Sequence, residues 1–384
     1  MRPKLFIAGI VMAATMGAQA FGQAGAAAAA SAASNKAAGP EASSGFGKDA
    51  NYANLEAHQR GGIGFIGKVV VQDAMFPWDP IPVIVTCKGV VRARTEADAK
   101  GGFTIGDAWL ADPMHSAVSP EPGKPNKTAA SQLIGCDAEA SLAGFKSTTV
   151  HIANLDIMDN PDIGTITLRP DNDAAGSAVS ATTTTASPEA MKRFNKARAE
   201  FQSKNIDAAE KDLQKAVQID PKFADAWYQL GKLEQLKNSP DALNAYEKSV
   251  AADPKFVSPY EGIAEQAAMQ KKWQDVVNAT TADLKLDPTG TPQIWYFDAL
   301  GHLNTGDSDT AQKSAETSLA MDPQHLAPNT EQLLAVILAG KGEYAEALHH
   351  LQNSLTYVKP GPNADLIKQQ IAQLEKVVPA DAAK

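Results

Sequence analysis

Two folded parts of different class are written into this chain: a seven-stranded antiparallel β-sandwich, then an all-α solenoid of helical hairpins. Three observations predict them. First, Pro221, Pro254, Pro288, Pro323 and Pro360 close five similar segments, at gaps of 33, 34, 35 and 37 residues. A period near 34 with proline at the seam marks a helix–turn–helix repeat. Second, residues 63–168 hold about seven short β-rich runs set between Gly, Pro and Asp turns, as an all-β domain requires. Third, residues 21–58 and 171–187 are poor in large apolar side chains and read as tether and linker.

The elements follow in chain order. Arg2 and Lys4 precede an apolar run from Leu5 to Met16, followed by Ala18, Gln19 and Ala20. Residues 1–20 therefore read as a signal peptide cut between Ala20 and Phe21. The run is too short for a comfortable membrane span. The expected location is exported, periplasmic or secreted. The Ala/Gly/Ser-rich stretch 21–58 cannot bury enough apolar surface to fold and is expected as a disordered tether. A hydrophobic content of 44% suffices for packed domains beyond it. The formal charge of −9, with no basic run to offset it, makes nucleic acid and anionic membrane poor partners.

Strands are expected at 63–71, 81–87, 90–95, 103–105, 136–142, 147–152 and 163–168. Gly67 and Val69, then Ile81 to Val85, Thr95 with Gly102 to Ile105, Ala143 to Ser147, and Ile163 to Leu168 stand in a recognisable order. In that order residues 59–170 resemble a carboxypeptidase regulatory-like domain. The resemblance implies a transthyretin-like member of the carbohydrate-binding-like β-sandwiches, a module that is usually non-catalytic and sometimes binds glycans. Residues 109–133 depart from the family as a long Pro-, Ser- and Lys-rich insertion, which is either a functional loop or a disordered one. Phe76, Trp78 and Trp109 are the candidate glycan contacts, with packing on their own sheet as the alternative. Cys87 and Cys136 are the only cysteines, and an even pair in an exported chain reads as a disulfide.

In the second half, a small residue, an apolar or small residue four later and another small residue three after that recur before each proline. Ala209, Leu213 and Ala216 form one such set; Ala242, Tyr246 and Ser249 another; Ala311, Ala315 and Ser318 a third. That spacing places all three on one helix face. Repeat three is degenerate, with Val276, Thr280 and Asp283 at these positions. Residues 188–360 resemble tetratricopeptide repeats, about five of them, and 361–384 read as a capping helix and tail, which a solenoid needs to cover its last apolar face. Trp227, Tyr246, Trp273 and Trp295 are expected in the repeat core. The resemblance implies a partner groove lined by first-helix residues: Phe194, Arg198, Phe201, Tyr228, Lys232, Gln235, Glu261, Glu265, Tyr296 and Leu300. Ordinary repeat surface is the alternative for each.

Catalytic and metal signatures are missing. The seven histidines form no ligand-spaced set, and neither a G-x-S-x-G elbow nor a phosphate loop is present. The acidic stretches around Asp156, Asp159 and Asp162, and Asp171 with Asp173, lack the glycine and distal glutamate of a calcium loop, so turn chemistry is expected there. No cofactor and no metal are expected. The function expected is that of a non-catalytic exported scaffold binding a protein or peptide through the repeats. The alternative is a glycan-binding protein that engages polysaccharide through its β-sandwich.

Overall fold

The computed structural model describes residues 65–105, 133–152, 162–322, 325 and 329–378. The signal peptide with Ala20 and Phe21, the 21–58 tether, Trp109 and nearly all of the 109–133 insertion lie outside the described residues. Two compact units divide at Asn172 and Asp173.

The first unit is all β. Its strands are β1 (Phe65–Val71), β2 (Ile81–Cys87), β3 (Val90–Ala97), β4 (Gly102–Ile105), β5 (Asp137–Ala140), β6 (Phe145–Ser147), β7 (Val150–His151) and β8 (Asp162–Pro170). They form two sheets of four strands, ordered β4-β1-β8-β6 and β3-β2-β5-β7. This corrects the expectation of seven antiparallel strands in two ways. The single run predicted at 147–152 is split: β6 pairs with β8 in one sheet, and β7 pairs with β5 in the other. The first and last strands, β1 and β8, are neighbours in parallel register, Val69 opposite Ile166 and Val71 opposite Leu168. Parallel neighbours need a long crossover, and here the whole intervening unit supplies it.

Alternation explains how the sheets share one core. Ile81, Val83 and Val85 of β2 are fully buried while Pro82 and Ile84 between them are half-buried. Phe65 and Val69 of β1, Ala93 and Ala97 of β3 and Ile166 and Leu168 of β8 join them in a single cluster. The chain passes between sheets at a turn where Asp98 Oδ1 accepts from the backbone N–H of Lys100 and Gly102 at 2.8 and 2.9 Å. Gly101 sits there at φ +85°, and any Cβ on it would lie 2.1 Å from the Val69 carbonyl oxygen, so only glycine fits. β2 and β5 are antiparallel partners, Thr86 opposite Asp137. The next rung brings Cys87 and Cys136 to a Cα separation of 4.4 Å, and they are joined as a disulfide.

The second unit is helical. A short helix α1 (Thr182–Thr185) precedes five hairpins: α2 (Pro188–Gln202) with α3 (Ile206–Ile219), α4 (Ala224–Leu236) with α5 (Ala242–Ala252), α6 (Ser258–Met269) with α7 (Trp273–Leu286), α8 (Pro292–Thr305) with α9 (Ser308–Met321), and α10 (Asn329–Lys341) with α11 (Tyr344–Tyr357). A last helix, α12 (Pro362–Leu374), follows. Side-chain caps start several of them: Ser187 accepts from Ala190 N–H, Thr291 from Ile294 and Asp307 from Thr310. Inside each hairpin one residue takes the left-handed conformation: Lys204, Asn238, Lys271, Gly306 and Gly342. Only two of these are glycine.

The small residue of the second helix has a definite task. Ser249 Oγ donates to the carbonyl of Ala224, the first residue of α4, at 2.8 Å. Ser318 Oγ donates likewise to Pro292, the first residue of α8, at 2.7 Å. These bonds set the second helix against the start of the first. Repeat three keeps the fold by other means. Val276 is buried and packs against Gly301, where a Cβ would come within 3.1 Å of it. Thr280 donates to Asp298 Oδ1 at 2.7 Å, and Ser314 of α9 donates to Oδ2 of the same carboxylate at 2.6 Å. The next repeat thus takes up the hydroxyl that makes this one look degenerate.

The stretch read as a linker is ordered from Gly176 onward. Ser177 forms a parallel bridge with Phe256, its N–H donating to Lys255 O and its carbonyl accepting from Val257 N–H, both at 2.9 Å. Ser180 Oγ and Ala181 N–H donate to Asp253 Oδ2 at 2.6 and 3.0 Å. Thr183 donates to Asp225, Thr182 Oγ1 accepts from Ala224 N–H, and Ser187 N–H donates to Asp220 Oδ2. Residues 176–187 are therefore a strap laid along the loops that join one repeat to the next.

Candidate partner-binding surface

The ten first-helix residues fall on α2, α4, α6 and α8. Six are half-exposed: Arg198, Phe201, Lys232, Gln235, Glu261 and Glu265. Four are buried: Phe194, Tyr228, Tyr296 and Leu300 are 2, 9, 2 and 1% exposed. Phe194 meets Phe223 at a tilt of 45°, with centroids 4.7 Å apart. Tyr228 meets Phe256 edge-on at 5.3 Å, and Tyr296 meets Phe297 edge-on at 5.5 Å.

The half-exposed groups are tied to one another and to their neighbours. Lys232 Nζ lies 5.5 Å from the Tyr228 ring centroid, within cation–π range. Gln235 accepts from Tyr246 Oη at 2.5 Å, which joins α4 to α5. Glu261 Oε2 accepts from Thr291 Oγ1 at 2.8 Å, which joins α6 to the cap of α8. Burial raises the Glu265 carboxyl above its ordinary range, and a hydrogen bond from Gln235 partly offsets this. Burial draws the Arg198 guanidinium down.

Three carboxyls of the repeats are shifted from their ordinary state. Burial pushes Glu234 up to about 7, aided by Asp241 and Glu210. Burial pushes Asp283 up to about 8, aided by Glu261 and Asp287. Asp212 goes the other way. Its burial opposes ionisation, yet hydrogen bonds from Lys196 and Arg193 hold it below the usual carboxylate range. Perturbed carboxyls can mark catalytic sites, but these three stand on separate hairpins.

The aromatic residues expected in the repeat core are buried to different degrees. Tyr246 is core, at 1% exposure, but Trp227, Trp273 and Trp295 are half-buried. Trp227 Nε1 donates to Pro221 O, Tyr260 Oη to Pro254 O and Trp295 Nε1 to Thr289 O, at 3.0, 3.1 and 2.9 Å. Each bond reaches six residues back, so these rings clip the seams, and Trp295, like Trp273, also packs against the repeat core. That period was present in the sequence and would have found them.

One cluster was invisible there. His350 Nδ1 lies 2.5 Å and His325 Nδ1 3.6 Å from the two oxygens of buried Glu331. Separations of 6 and 19 residues match no ligand motif. Among the described residues no group of three or more His, Cys, Asp and Glu is arranged to hold a metal ion. Asp162 accepts from Gly164 N–H at 2.8 Å, and Asp171 pairs with Lys146 at 2.8 Å; Asp156 and Asp159 lie outside the described residues. Of the glycan candidates, Phe76 packs against the β core and Trp78 is half-buried.

One comparison with known proteins agrees with the helical periodicity. A family model described as the TPR repeat matches residues 197–238. No curated protein matches the chain. Among solved structures, MamA 41-end from Desulfovibrio magneticus RS-1 is similar at 14% identity over 44% of this chain and 96% of its own, with a TM-score of 0.40. YrrB, described as a TPR protein with an unusual peptide-binding site, is similar at 18% identity over 47% of this chain and 91% of its own, with a TM-score of 0.41. PilF of Pseudomonas aeruginosa is similar at 20% identity over 51% and 87%, with a TM-score of 0.41.

Proposed function

We propose that this protein is a non-catalytic, exported scaffold that holds a protein or peptide partner on the first-helix surface of its repeats, with the β unit as an accessory module. The observation that carries the reading is the row of half-exposed polar side chains on successive first helices: Arg198 on α2, Lys232 and Gln235 on α4, Glu261 and Glu265 on α6. Hydrogen bonds between helices already orient several of them. A preorganised surface of this kind loses little side-chain entropy on binding. It carries both signs of charge, which suits a partner of mixed charge rather than a purely acidic tail. Export is read from residues 1–20 alone. Among the described residues, Phe76 packs against the β core, which does not favour the glycan reading.

The test is affinity capture from the exported fraction of the native host, with residues 21–384 as bait. The double variant Lys232→Glu, Glu265→Lys is run beside it, its helical content checked by circular dichroism. The reversed charges should lower retention of a captured partner about tenfold or more, as loss of a central contact does. Equal retention by a folded variant would remove this surface from the account.

A further inference from the structure

A second surface, on the edge where repeats join, goes beyond the first-helix reading. Trp227, Tyr260 and Trp295 occupy one position in repeats two, three and four, each clipped to its seam. In repeat two the ring is covered: Lys248 Nζ stands 4.4 Å from the Trp227 centroid. Lys248 directly precedes Ser249, the residue that sets α5 against α4. The residues in that register in repeats three and four are Ala282, before Asp283, and Thr317, before Ser318. Neither carries charge. Tyr260 and Trp295 are half-buried, and among the described residues no cation stands over either ring.

We propose that Tyr260 and Trp295 receive the cationic side chains of a Lys- or Arg-bearing peptide, in the way that Trp227 receives Lys248. Three observations select this occupant. Seam carboxylates stand close by: Asp253 adjoins Pro254, whose carbonyl Tyr260 holds, and Asp287 accepts from the N–H and hydroxyl of Thr289, whose carbonyl Trp295 holds. The chain carries a net charge of −9, which draws basic partners. The same edge already accepts an extended chain. The strap pairs with Lys255 and Val257, and a Cβ on its Gly176 would lie 2.6 Å from Leu286 Cβ, at the threshold of the third seam.

The full chain is titrated at low ionic strength with a labelled peptide of alternating lysine and serine, read by fluorescence anisotropy. Ala282→Lys and Thr317→Lys each place the chain's own cation over a ring. Each should weaken binding about two- to fivefold, the value of one exposed cation–π contact. Thr281→Lys adds the same charge one position away and should have less effect. The peptide with acetylated lysines should not bind. Gln235→Ala, on the first-helix surface, should leave this affinity unchanged, so the proposal stands or falls apart from the scaffold reading. The proposal is overturned if Thr317→Lys and Ala282→Lys match Thr281→Lys, or if the acetylated peptide binds as well as the free one.

Discussion

Asp283 stands where repeats two and four carry a serine, and the exchange has a consequence in pH. A hydroxyl at that position donates to the start of the first helix and has no charge to lose. A carboxyl 4% exposed, with Glu261 and Asp287 beside it, can match that only while protonated. Its folded pKa of about 8 exceeds the ordinary value, so the folded state holds a proton that the unfolded state has released. Stability therefore falls as pH rises from about 4 towards 8, and the loss is complete above that. Glu234 acts in the same sense up to about 7. Asp283→Ser should flatten the slope and raise stability at pH 9 by about 2 kcal/mol, the scale of relieving a buried polar group. Urea melts of both proteins at pH 5 and pH 9 check this, and parallel slopes would refute it.

At the scale of the element, the strap is the main departure from expectation. Small, hydroxyl-rich composition reads as flexible because such residues bury little apolar surface. Here they are held by hydrogen bonds to acceptors that only the repeats provide: the second oxygen of Asp253, the carboxylate of Asp225 and one backbone bridge at Ser177. Gly176 is hemmed in by Leu286, Val257 and Lys255, so a larger side chain cannot enter. Ser180→Ala should cost about 1 kcal/mol, one hydrogen bond. Gly176→Val should release the strap and speed hydrogen exchange at the Val257 amide, whose N–H it covers. An unchanged Val257 protection factor in Gly176→Val would mean that the strap does not depend on that close approach.

At the scale of the whole molecule, the two units draw on different sources of stability. The β unit has one core and a covalent tie closing 49 residues of chain, worth about 4 kcal/mol in the chain-entropy model. The helical unit has no cysteine and relies on hairpin-to-hairpin packing. Replacing Cys87 and Cys136 by serine should lower the β transition and leave the helical transition, followed by circular dichroism at 222 nm, where it was. A matching drop in the helical transition would show that the disulfide stabilises both units.

Local repetition was legible in the amino-acid order because it is written every 33 to 37 residues. The five hairpins, their proline seams, the last helix and the disulfide pair could all be read there, since each depends on spacing or on residue type alone. The β strands were legible as segments because alternation is local, but not as a topology. That β1 lies beside β8 in parallel, or that 145–151 divides between sheets, depends on pairing across about a hundred residues. The strap, the seam position of the tryptophans and the Glu331 cluster have the same origin. The strap's bonds to Asp225 and Asp253 span 42 and 73 residues, while the tryptophan bonds and the Glu331 cluster are nearer in sequence, the cluster matching no motif. In each case only the packed structure determines which carboxylate, carbonyl or ring lies within hydrogen-bonding reach of which donor.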